Sequence, residues 1–240
     1  MRSGSSARLR GRWHGVSAWP TESEPIPGVT GARVEREFFD RDPREAASEL
    51  LGTILLSRAG GGLTGGRIVE TEAYLGSDDP GSHAATRGIT VRNAVMYGPP
   101  GSVYVYFTYG NHHMLNLVCG PEGVAGAVLI RALEPLVGVG TMRARRPGRA
   151  DHELTNGPGK LASALGVDLT HNGGVLGEGD LAVYHASGPF NHEVSKSGRV
   201  GLGAGFELEL RYFLTGSPYV SRGRTGPPTQ RRSRAHRHRN

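Results

Sequence analysis

The chain has 240 residues, a formal net charge of +6 and a single cysteine, Cys119. The length fits one large domain or two small ones. One cysteine excludes an internal disulfide and any cysteine-based zinc or iron–sulfur site, and it indicates a reducing compartment. No apolar run is long enough to span a bilayer and no secretory signal opens the chain, so we expect a cytoplasmic protein.

The positive charge lies at the two ends of the chain. Residues 222–240 contain seven arginines and no acidic residue, whereas residues 1–32 carry a net charge of +2 and residues 33–221 carry −3. Residues 1–32 also lack a hydrophobic period. We therefore predict a disordered segment 1–32, a folded domain 33–221 and a basic disordered tail 222–240. Such a tail is typical of nucleic-acid attraction, although an arginine-rich genome would give the same composition.

The first predicted element is a helix that begins after Asp42. Asp42 is a suitable N-cap and Pro43 suits the first helical position, with a glutamate three residues after the cap. The helical stripe ends at Gly52. A short buried strand over 53–57 and a glycine-rich turn over 60–66 follow, and we predict that they form a hairpin with the next strand.

That next strand, Arg67–Tyr74, carries two glutamates. Because alternate side chains of a strand share a face, Ile68, Glu70, Glu72 and Tyr74 should line one surface. Carboxylates are poorly suited to a strand with apolar neighbours unless they are paired or used. We therefore treat this strand as a candidate catalytic element.

A second strand, Ser102–Tyr109, carries three tyrosines. By the same alternation Tyr104 and Tyr106 share a face, and Tyr109 lies on the other face at the end of a hairpin. An aromatic slot beside a carboxylate is what an enzyme needs to hold a flat base and activate a water molecule. The alternative is a tyrosine-rich core strand, which explains the tyrosines but explains the glutamates less well.

A long connection, residues 75–101, joins these two strands. Connections of this length within a compact domain are usually functional, and this one contains turn-forming sequences near both of its ends. We expect it to bring His83 and Arg92 near the glutamate strand. The alternative for His83 is a loop histidine that is only solvated.

The strand Met114–Cys119 follows a turn at residues 110–113. Its Asn116 stands within an apolar run, and a buried amide must be hydrogen-bonded. Asn116 is therefore either an anchor for the turn or a residue that contacts a ligand. The adjacent His112 and His113 lack a cysteine or carboxylate at a suitable spacing, so we predict no metal site.

The remaining predicted elements are shorter. A strand over 126–131 ends in the cation of Arg131, and Glu134-Pro135 should break the chain before a helix within 136–146. A second helix opens at Gly157–Lys160. Further strands are predicted at Leu181–Tyr184, Arg199–Val200 and Leu208–Leu214.

Five sequence blocks are together specific enough to suggest a family. They are RIVETEAYLG at Arg67–Gly76, YVYFTYG at Tyr104–Gly110, LIRALEP at Leu129–Pro135, GPGKL at Gly157–Leu161 and GSPYVS at Gly216–Ser221. In this order they closely resemble the alkyladenine (3-methyladenine, alkylpurine) DNA glycosylase family. The resemblance covers roughly residues 33–221 and leaves both ends of the chain outside it.

The resemblance implies both a fold and an activity. The implied fold is a single α+β domain, in which a curved, mainly antiparallel sheet is flanked by short helices and a β-hairpin protrudes into the DNA minor groove. The implied enzyme is a monofunctional DNA N-glycosylase of base-excision repair. It flips alkylated or deaminated purines out of the duplex and hydrolyses the N-glycosidic bond, which leaves an abasic site.

The same resemblance suggests substrates and partners. 3-Methyladenine and 7-methylguanine are the expected lesions, with hypoxanthine and ethenoadenine as further candidates. The expected partner is double-stranded DNA that contains damaged purines, and no metal or organic cofactor is implied. We expect a monomer that works at the nucleoid.

Carried over by position, Glu72 resembles the family's general base, which deprotonates the water that attacks C1′ of the flipped nucleotide. Arg131 resembles the residue that helps to position this water and the adjoining phosphate. Tyr74, His83 and Tyr106 match the side chains that hold the damaged base between them.

Other matches concern specificity and DNA contact. Asn116 resembles a steric filter that disfavours the exocyclic amine of guanine. Tyr109 resembles the wedge that replaces the flipped base in the stack. Tyr104, Arg92 and Lys160 are further expected DNA contacts.

Two other functions fit parts of the sequence. One is a non-catalytic protein that binds damaged DNA in the same slot, which would leave Glu72 without a use. The other is a bifunctional glycosylase/lyase with Lys160 as the amine nucleophile. A lysine in the setting Gly157–Lys160, which opens a helix, is better suited to structure or to phosphate binding.

Overall fold

A computed structural model describes most of the chain between residues 32 and 223. The described residues are Trp19, Val29, 32–82, 84–85, 88–108, 110–187, 191–202, 204–205 and 207–223. His83 and Tyr109, which have expected roles, lie outside the described residues, and so do residues 224–240 of the basic tail.

The described residues form an eight-stranded sheet in which all pairings are antiparallel. Its strands are β1 Ile54–Ser57, β2 Thr64–Tyr74, β3 Val103–Thr108, β4 His112–Val118, β5 Ala127–Val137, β6 Leu181–Tyr184, β7 Val194–Ser197 and β8 Arg211–Leu214. The order is β3-β4-β5-β2-β1-β6, and β8 joins β2 and β7. Strand β2 pairs with β5 along one edge and with β1 and then β8 along the other, so the sheet curls around β2. The α+β prediction is therefore confirmed.

Helices cover one face of this sheet. They are α1 Pro43–Glu49, α2 Val139–Arg145 and α3 Pro158–Leu165. The predicted start of α1 is confirmed, because the Asp42 side chain accepts a hydrogen bond from the backbone N–H of Arg44. Helix α1 is tied to the sheet by Thr71, whose hydroxyl donates to the carbonyl of Ala47 at 2.8 Å.

The main hydrophobic core lies between these helices and the sheet. Alternate residues of each strand point into it, for example Val103 and Val105 of β3 and Leu115 and Leu117 of β4. Burying one such aliphatic side chain stabilises the fold by about 1.5–3 kcal/mol. The intervening residues of the same strands face the other side of the sheet, where the polar site is built.

The glutamate strand follows the predicted alternation only in part. Its pairing with β5 shifts register between Ile68 and Glu70, as in a β-bulge, and again between Glu70 and Thr71. Ile68 packs in the main core rather than beside the carboxylates, so its expected position was wrong. A bulge re-aims the side chains next to it, and it depends on the partner strand rather than on local sequence.

The predicted break at Glu134-Pro135 was also wrong, because β5 runs through it to Val137. The proline lies opposite Gly66 at another shift in register, where the missing N–H is tolerated. Gly66 is required here, since a Cβ atom would lie 2.1 Å from the carbonyl oxygen of Glu134. The helix predicted within 136–146 is therefore limited to α2.

Two of the last predicted strands differ from the structure. Arg199 and Val200 lie outside the named strands, and β8 covers only the last part of the predicted 208–214 segment. The strand Leu181–Tyr184 is confirmed as β6. Arg199 instead makes tertiary contacts in the site described below.

Two described residues of the N-terminal segment are packed against the sheet. Trp19 and Val29 are buried in a small cluster with Tyr184, and the Trp19 indole N–H donates to the carbonyl of Gly179 at 2.8 Å. Fixed structure thus reaches ahead of residue 33 at these two positions, while the domain boundary itself stays a prediction. No helix in the described ranges is long and apolar enough to cross a membrane.

Candidate active site

Two buried glutamates and one arginine form the centre of the polar face. Glu70 and Glu72 of β2 are both fully buried, and Arg131 of β5 is 5% exposed. The Nε of Arg131 lies 2.8 Å from Oε1 of Glu70, and its Nη1 lies 3.2 Å from Oε2 of Glu72. One guanidinium therefore joins the two carboxylates.

The carboxylate of Glu70 is fully engaged by protein groups. Besides Arg131, it accepts hydrogen bonds from Arg211 Nε at 2.7 Å and from the hydroxyl and backbone N–H of Ser221 at 2.7 and 2.6 Å. Burial alone would raise the pKa of Glu70, but the two arginines and Ser221 hold that pKa below its ordinary value. Glu70 is thus an ionised anchor that orients Arg131 and ties down the end of the domain.

Glu72 has fewer partners and different geometry. Its Oε1 accepts from the backbone N–H of Val200 at 2.7 Å, and its Oε2 accepts from the Tyr74 hydroxyl at 2.9 Å, beside the Arg131 contact. A carboxylate offers about four acceptor positions. The three donors among the described residues therefore leave Glu72 with room for one more, which Glu70 lacks.

Two neighbours of Glu72 have defined charge states. Burial tends to lower the pKa of Arg131, yet Glu72 and Glu70 raise it above its ordinary value, so the guanidinium stays charged. Burial and then Glu72 raise the pKa of Tyr74 well above its ordinary value, so this phenol stays protonated and donates to the carboxylate.

In front of this cluster lies a cavity of about 280 Å³. Its volume is near the lower end of the ~300–1,000 Å³ typical of small-molecule sites. The lining residues are Tyr74, Gly81, Met96, Tyr104, Tyr106, Thr108, Met114, Asn116, Leu129, Arg131, Pro158, Val200, Gly201 and Leu202. Glu72 is fully buried and is not itself a lining residue, but it bonds three residues that are: Tyr74, Arg131 and Val200.

Three tyrosines supply the aromatic lining. Tyr74, Tyr104 and Tyr106 all line the cavity. The rings of Tyr104 and Tyr106 lie 5.3 Å apart, with planes tilted by 36°. Tyr104 is 1% exposed, and burial raises its pKa to about 12. Tyr104 therefore belongs to the cavity lining, and its expected contact with DNA stays a prediction.

Asn116 is an anchor of the β3–β4 hairpin that also lines the cavity, and its contact with a ligand stays a prediction. Its amide N–H groups donate to the carbonyls of Tyr104 at 3.1 Å and Met114 at 3.2 Å, so the side chain is fixed by the β3–β4 hairpin. The same side chain lines the cavity. Because the two carbonyls fix which end is the NH₂, the Asn116 amide oxygen is the end left for a ligand.

The expected DNA contacts of Arg92 and Lys160 occupy different places. Arg92 is exposed, donates to the carbonyl of Phe107 at 2.8 Å and lies 5.4 Å from the centre of the Tyr106 ring. Lys160 Nζ donates to the Asn156 side-chain oxygen at 2.7 Å, outside the 280 Å³ cavity. Arg92 thus contacts Tyr106, which lines the 280 Å³ cavity. Lys160 lies on α3 and is not among the residues that line this cavity.

A buried arginine that the sequence did not single out supports this site. Arg199 is fully buried, pairs with Asp79 through both terminal nitrogens and donates to the carbonyl of Ala73 at 3.0 Å. Its guanidinium carbon lies 4.7 Å from the centre of the Tyr74 ring. The following residue, Val200, binds Glu72. Nothing in the sequence links Asp79 to a partner 120 residues away.

The described residues contain no group of three or more His, Cys, Asp or Glu side chains that could hold a metal ion. The absence of a metal and of an organic cofactor stays a prediction. The chemistry available among the described groups is that of a carboxylate, a permanent cation and phenols. Such a set can position a water molecule and accept its proton.

Comparison with known proteins gives a consistent family. The profile of the family described as methylpurine-DNA glycosylase matches residues 37–218. Relatives with the name "Putative 3-methyladenine DNA glycosylase" include the three described next. The one from Koribacter versatilis (strain Ellin345) is 47% identical over 195 residues, which is 79% of this chain and 93% of the relative.

The other two relatives cover still more of the chain. The protein from Burkholderia lata is 44% identical over 212 residues, 87% of this chain and 98% of its own length. The protein from Chlorobaculum tepidum is 42% identical over 204 residues, 84% of this chain and 97% of its own length. The chain therefore belongs to the methylpurine-DNA glycosylase family and is a DNA glycosylase, a hydrolase of N-glycosyl bonds.

Proposed function

We propose that this enzyme excises alkylated and deaminated purines from duplex DNA by a monofunctional mechanism, with Glu72 as the general base. The observation that carries the proposal is the pairing of Glu72 with Tyr74 and Arg131 at the back of an aromatic cavity. Glu72 retains an acceptor position for a water molecule, and Glu70 does not.

The aromatic lining suits a flipped, damaged base. Alkylation at N3 or N7 of a purine makes the base cationic, and a cation is attracted to the face of a tyrosine ring. Stacking of a base on an aromatic side chain contributes about 1–3 kcal/mol. Tyr74 and Tyr106, with His83 as a further proposed neighbour, would hold the base, and a damaged base costs less to flip than a well-paired one.

The proposed reaction needs only a water molecule and a base. The water oxygen attacks C1′ of the flipped nucleotide while Glu72 accepts a proton from it. The C1′–N bond breaks and its electron pair leaves with the base. A cationic base leaves as a neutral molecule, and a neutral base leaves as an anion that takes up the proton released from the water. Arg131 keeps its charge throughout, and we propose that it helps to position the water and the adjoining phosphate.

Selectivity is proposed to come from Asn116. Its side chain is held by the carbonyls of Tyr104 and Met114 and therefore cannot move aside easily. A fixed group beside the 2-position of the purine would collide with the exocyclic amine of guanine. Tyr109 is proposed to act as the wedge that fills the space left in the DNA stack.

The position of Lys160 argues for a simple hydrolase rather than a lyase. The lysine amine is bonded to Asn156 and lies outside the lining of the base-sized cavity. An amine nucleophile would have to reach C1′, which follows the base into that cavity. We further propose that the protein is a monomer that acts on DNA at the nucleoid, in the cytoplasm.

A base-release assay tests the proposal directly. The purified protein is incubated with duplexes that carry 3-methyladenine, 7-methylguanine, hypoxanthine or ethenoadenine, and the released bases are measured alongside borohydride trapping. We expect release of at least the two methylated bases and no trapped protein–DNA adduct. If no base is released from any of the four duplexes, the proposed excision is wrong. A borohydride adduct that Lys160→Ala abolishes would overturn the monofunctional mechanism.

A further inference from the structure

A second cavity lies directly beside the base-sized one. It has a volume of about 480 Å³ and shares Met114 and Pro158 with the first cavity. The rest of its lining includes Arg146, Arg149 and Lys160. Three cationic side chains therefore meet next to the proposed reaction site.

Two of these cations, Arg146 and Arg149, lack the ion pairs and carbonyl contacts that the nearby arginines Arg143 and Arg145 make within the described residues. On helix α2, which ends just before Arg146, Arg143 pairs with Asp151 through two bonds of 2.8 and 2.7 Å, and Arg145 donates to backbone carbonyls such as that of Ala164 at 2.9 Å. Arg146 and Arg149 have no ion pair within the described part of the chain. Glu153 is the single carboxylate that lines the cavity.

Arg146 also has an unused donor. Its Nε is buried and has no hydrogen-bond partner among the residues that the structure describes. Burial and then the charge of Arg149 lower the pKa of Arg146 below its ordinary value. A buried donor without a partner beside a like charge is costly unless an anion joins the two.

The start of helix α3 completes the lining. Gly157, Pro158 and Gly159 bring the backbone of its first turn to the cavity, where N–H groups lack partners within the helix. Gly159 must be a glycine here, because a Cβ atom would lie 2.7 Å from the His112 ring. The helix dipole adds to the attraction that the cations exert on an anion.

We propose that this cavity binds a phosphodiester group of the DNA strand that carries the flipped nucleotide, with Arg146 and Arg149 as its principal ligands. The inference rests on the proposed function for the identity of the strand. The shared lining places the bound phosphate next to the nucleotide in the first cavity. Phosphate is the anion expected there, because arginine forks match its geometry.

The test combines charge removal in the protein with charge removal in the DNA. Binding of a lesion-bearing duplex is measured between 50 and 200 mM salt for wild type, Arg146→Gln and Arg149→Gln, with Arg143→Gln as the matched control outside the cavity. The duplexes carry a single neutral methylphosphonate at successive positions around the lesion. Thermal unfolding of each variant checks the fold, and the exposed Arg149 provides a variant that places no demand on the core.

We expect a specific loss at one phosphate. Removing one phosphate contact should reduce the steepness of log K against log salt by about 0.9. Between 50 and 200 mM salt, the variant should therefore lose roughly three- to four-fold less affinity than wild type loses. In wild type, one methylphosphonate beside the lesion should weaken binding. In Arg146→Gln and Arg149→Gln the same methylphosphonate should have little further effect, while Arg143→Gln should behave as wild type.

The opposite pattern rejects the site. If the cavity variants keep the wild-type slope, or if every methylphosphonate weakens them as much as wild type, the cavity binds no DNA phosphate. Base release by the wild type is measured separately. If no lesion is released but the methylphosphonate effect is present, the proposed excision of alkylated and deaminated purines is wrong and the phosphate site stands. If lesions are released but the methylphosphonate effect is absent, the phosphate site is wrong and the proposed excision stands.

Discussion

The guanidinium of Arg199 lies 4.7 Å from the centre of the Tyr74 ring, and it is fully buried beneath it. The same guanidinium pairs with Asp79, and the next residue, Val200, donates its N–H to Glu72 at 2.7 Å. One arginine thus fixes a connecting loop, an aromatic wall of the cavity and the orientation of the proposed general base.

Replacing Arg199 should therefore destabilise the fold strongly. Arg199→Met leaves the carboxylate of Asp79, which is 1% exposed, without its partner. Breaking a buried ion pair in this way costs about 3–5 kcal/mol. Urea unfolding should show this loss, and the double variant with Asp79→Asn should be less destabilised than the sum of the single changes. A change below about 1 kcal/mol would show that the pair is not needed.

Acid should destabilise the protein through its buried carboxylates. The pKa of Glu70 is lowered in the fold from an ordinary value of 4.5, chiefly by Arg131 and Arg211 acting against burial. A lowered pKa contributes stability that is present above the unfolded pKa and is lost as the pH falls through the folded one. The free energy of unfolding should therefore decrease as the pH falls below about 4.5.

Salt distinguishes this buried contribution from the exposed ion pairs. Surface pairs such as Arg143 with Asp151 are screened at high ionic strength, whereas buried groups are screened much less. The acid-dependent loss of stability should largely persist in 1 M salt. If it disappears there, exposed carboxylates rather than Glu70 are its source.

The sequence predicted those parts of the structure that local rules determine. The start of α1 follows from the cap at Asp42, and the shared face of Tyr104 and Tyr106 follows from strand alternation. These rules act within a few residues. They group the tyrosines of β3, but they do not relate Arg131 or Asn116, which lie on other strands, to these side chains.

The remaining features depend on distant partners. Ile68 changed face because the pairing of β2 with β5 contains a bulge, and Pro135 is accepted in a strand because Gly66 lies opposite it. Arg199 and Asp79 are 120 residues apart in the sequence. Neither a period nor a cap carries information about such pairs, so they could be seen only in the fold.

The two proposed roles of tyrosine at the hairpin can be separated. Tyr109→Ser should reduce base release most where the lesion is well paired, because a wedge stabilises the flipped state, whose formation costs a few kcal/mol. Tyr106→Ser removes part of the cavity lining and should reduce release in every context. Single-turnover release is measured on one lesion in paired, mismatched and single-stranded DNA. Equal losses for Tyr109→Ser on all three substrates would reject the wedge.

The basic tail should contribute to DNA affinity but not to chemistry. Deletion of residues 222–240 removes seven arginines, of which we expect only some to contact DNA at one time. The slope of log K against log salt should become less steep, with the single-turnover rate at saturating enzyme unchanged. An unchanged slope would show that the tail does not contact DNA.

Single-turnover base release by Glu72→Gln is the most direct test of the proposed mechanism. Gln keeps the size of the side chain but replaces one carboxylate oxygen with an NH₂ group, so it loses part of the bonding to Val200 or Arg131 and cannot accept the proton of the water. A matched control is Glu134→Gln, since Glu134 is half-buried and paired with Arg67 at 3.2 Å, away from the cavity. We predict that Glu72→Gln lowers the rate by about 10²–10⁴-fold with DNA binding retained, while the control keeps the wild-type rate. A Glu72→Gln variant that releases the base at nearly the wild-type rate would contradict the account.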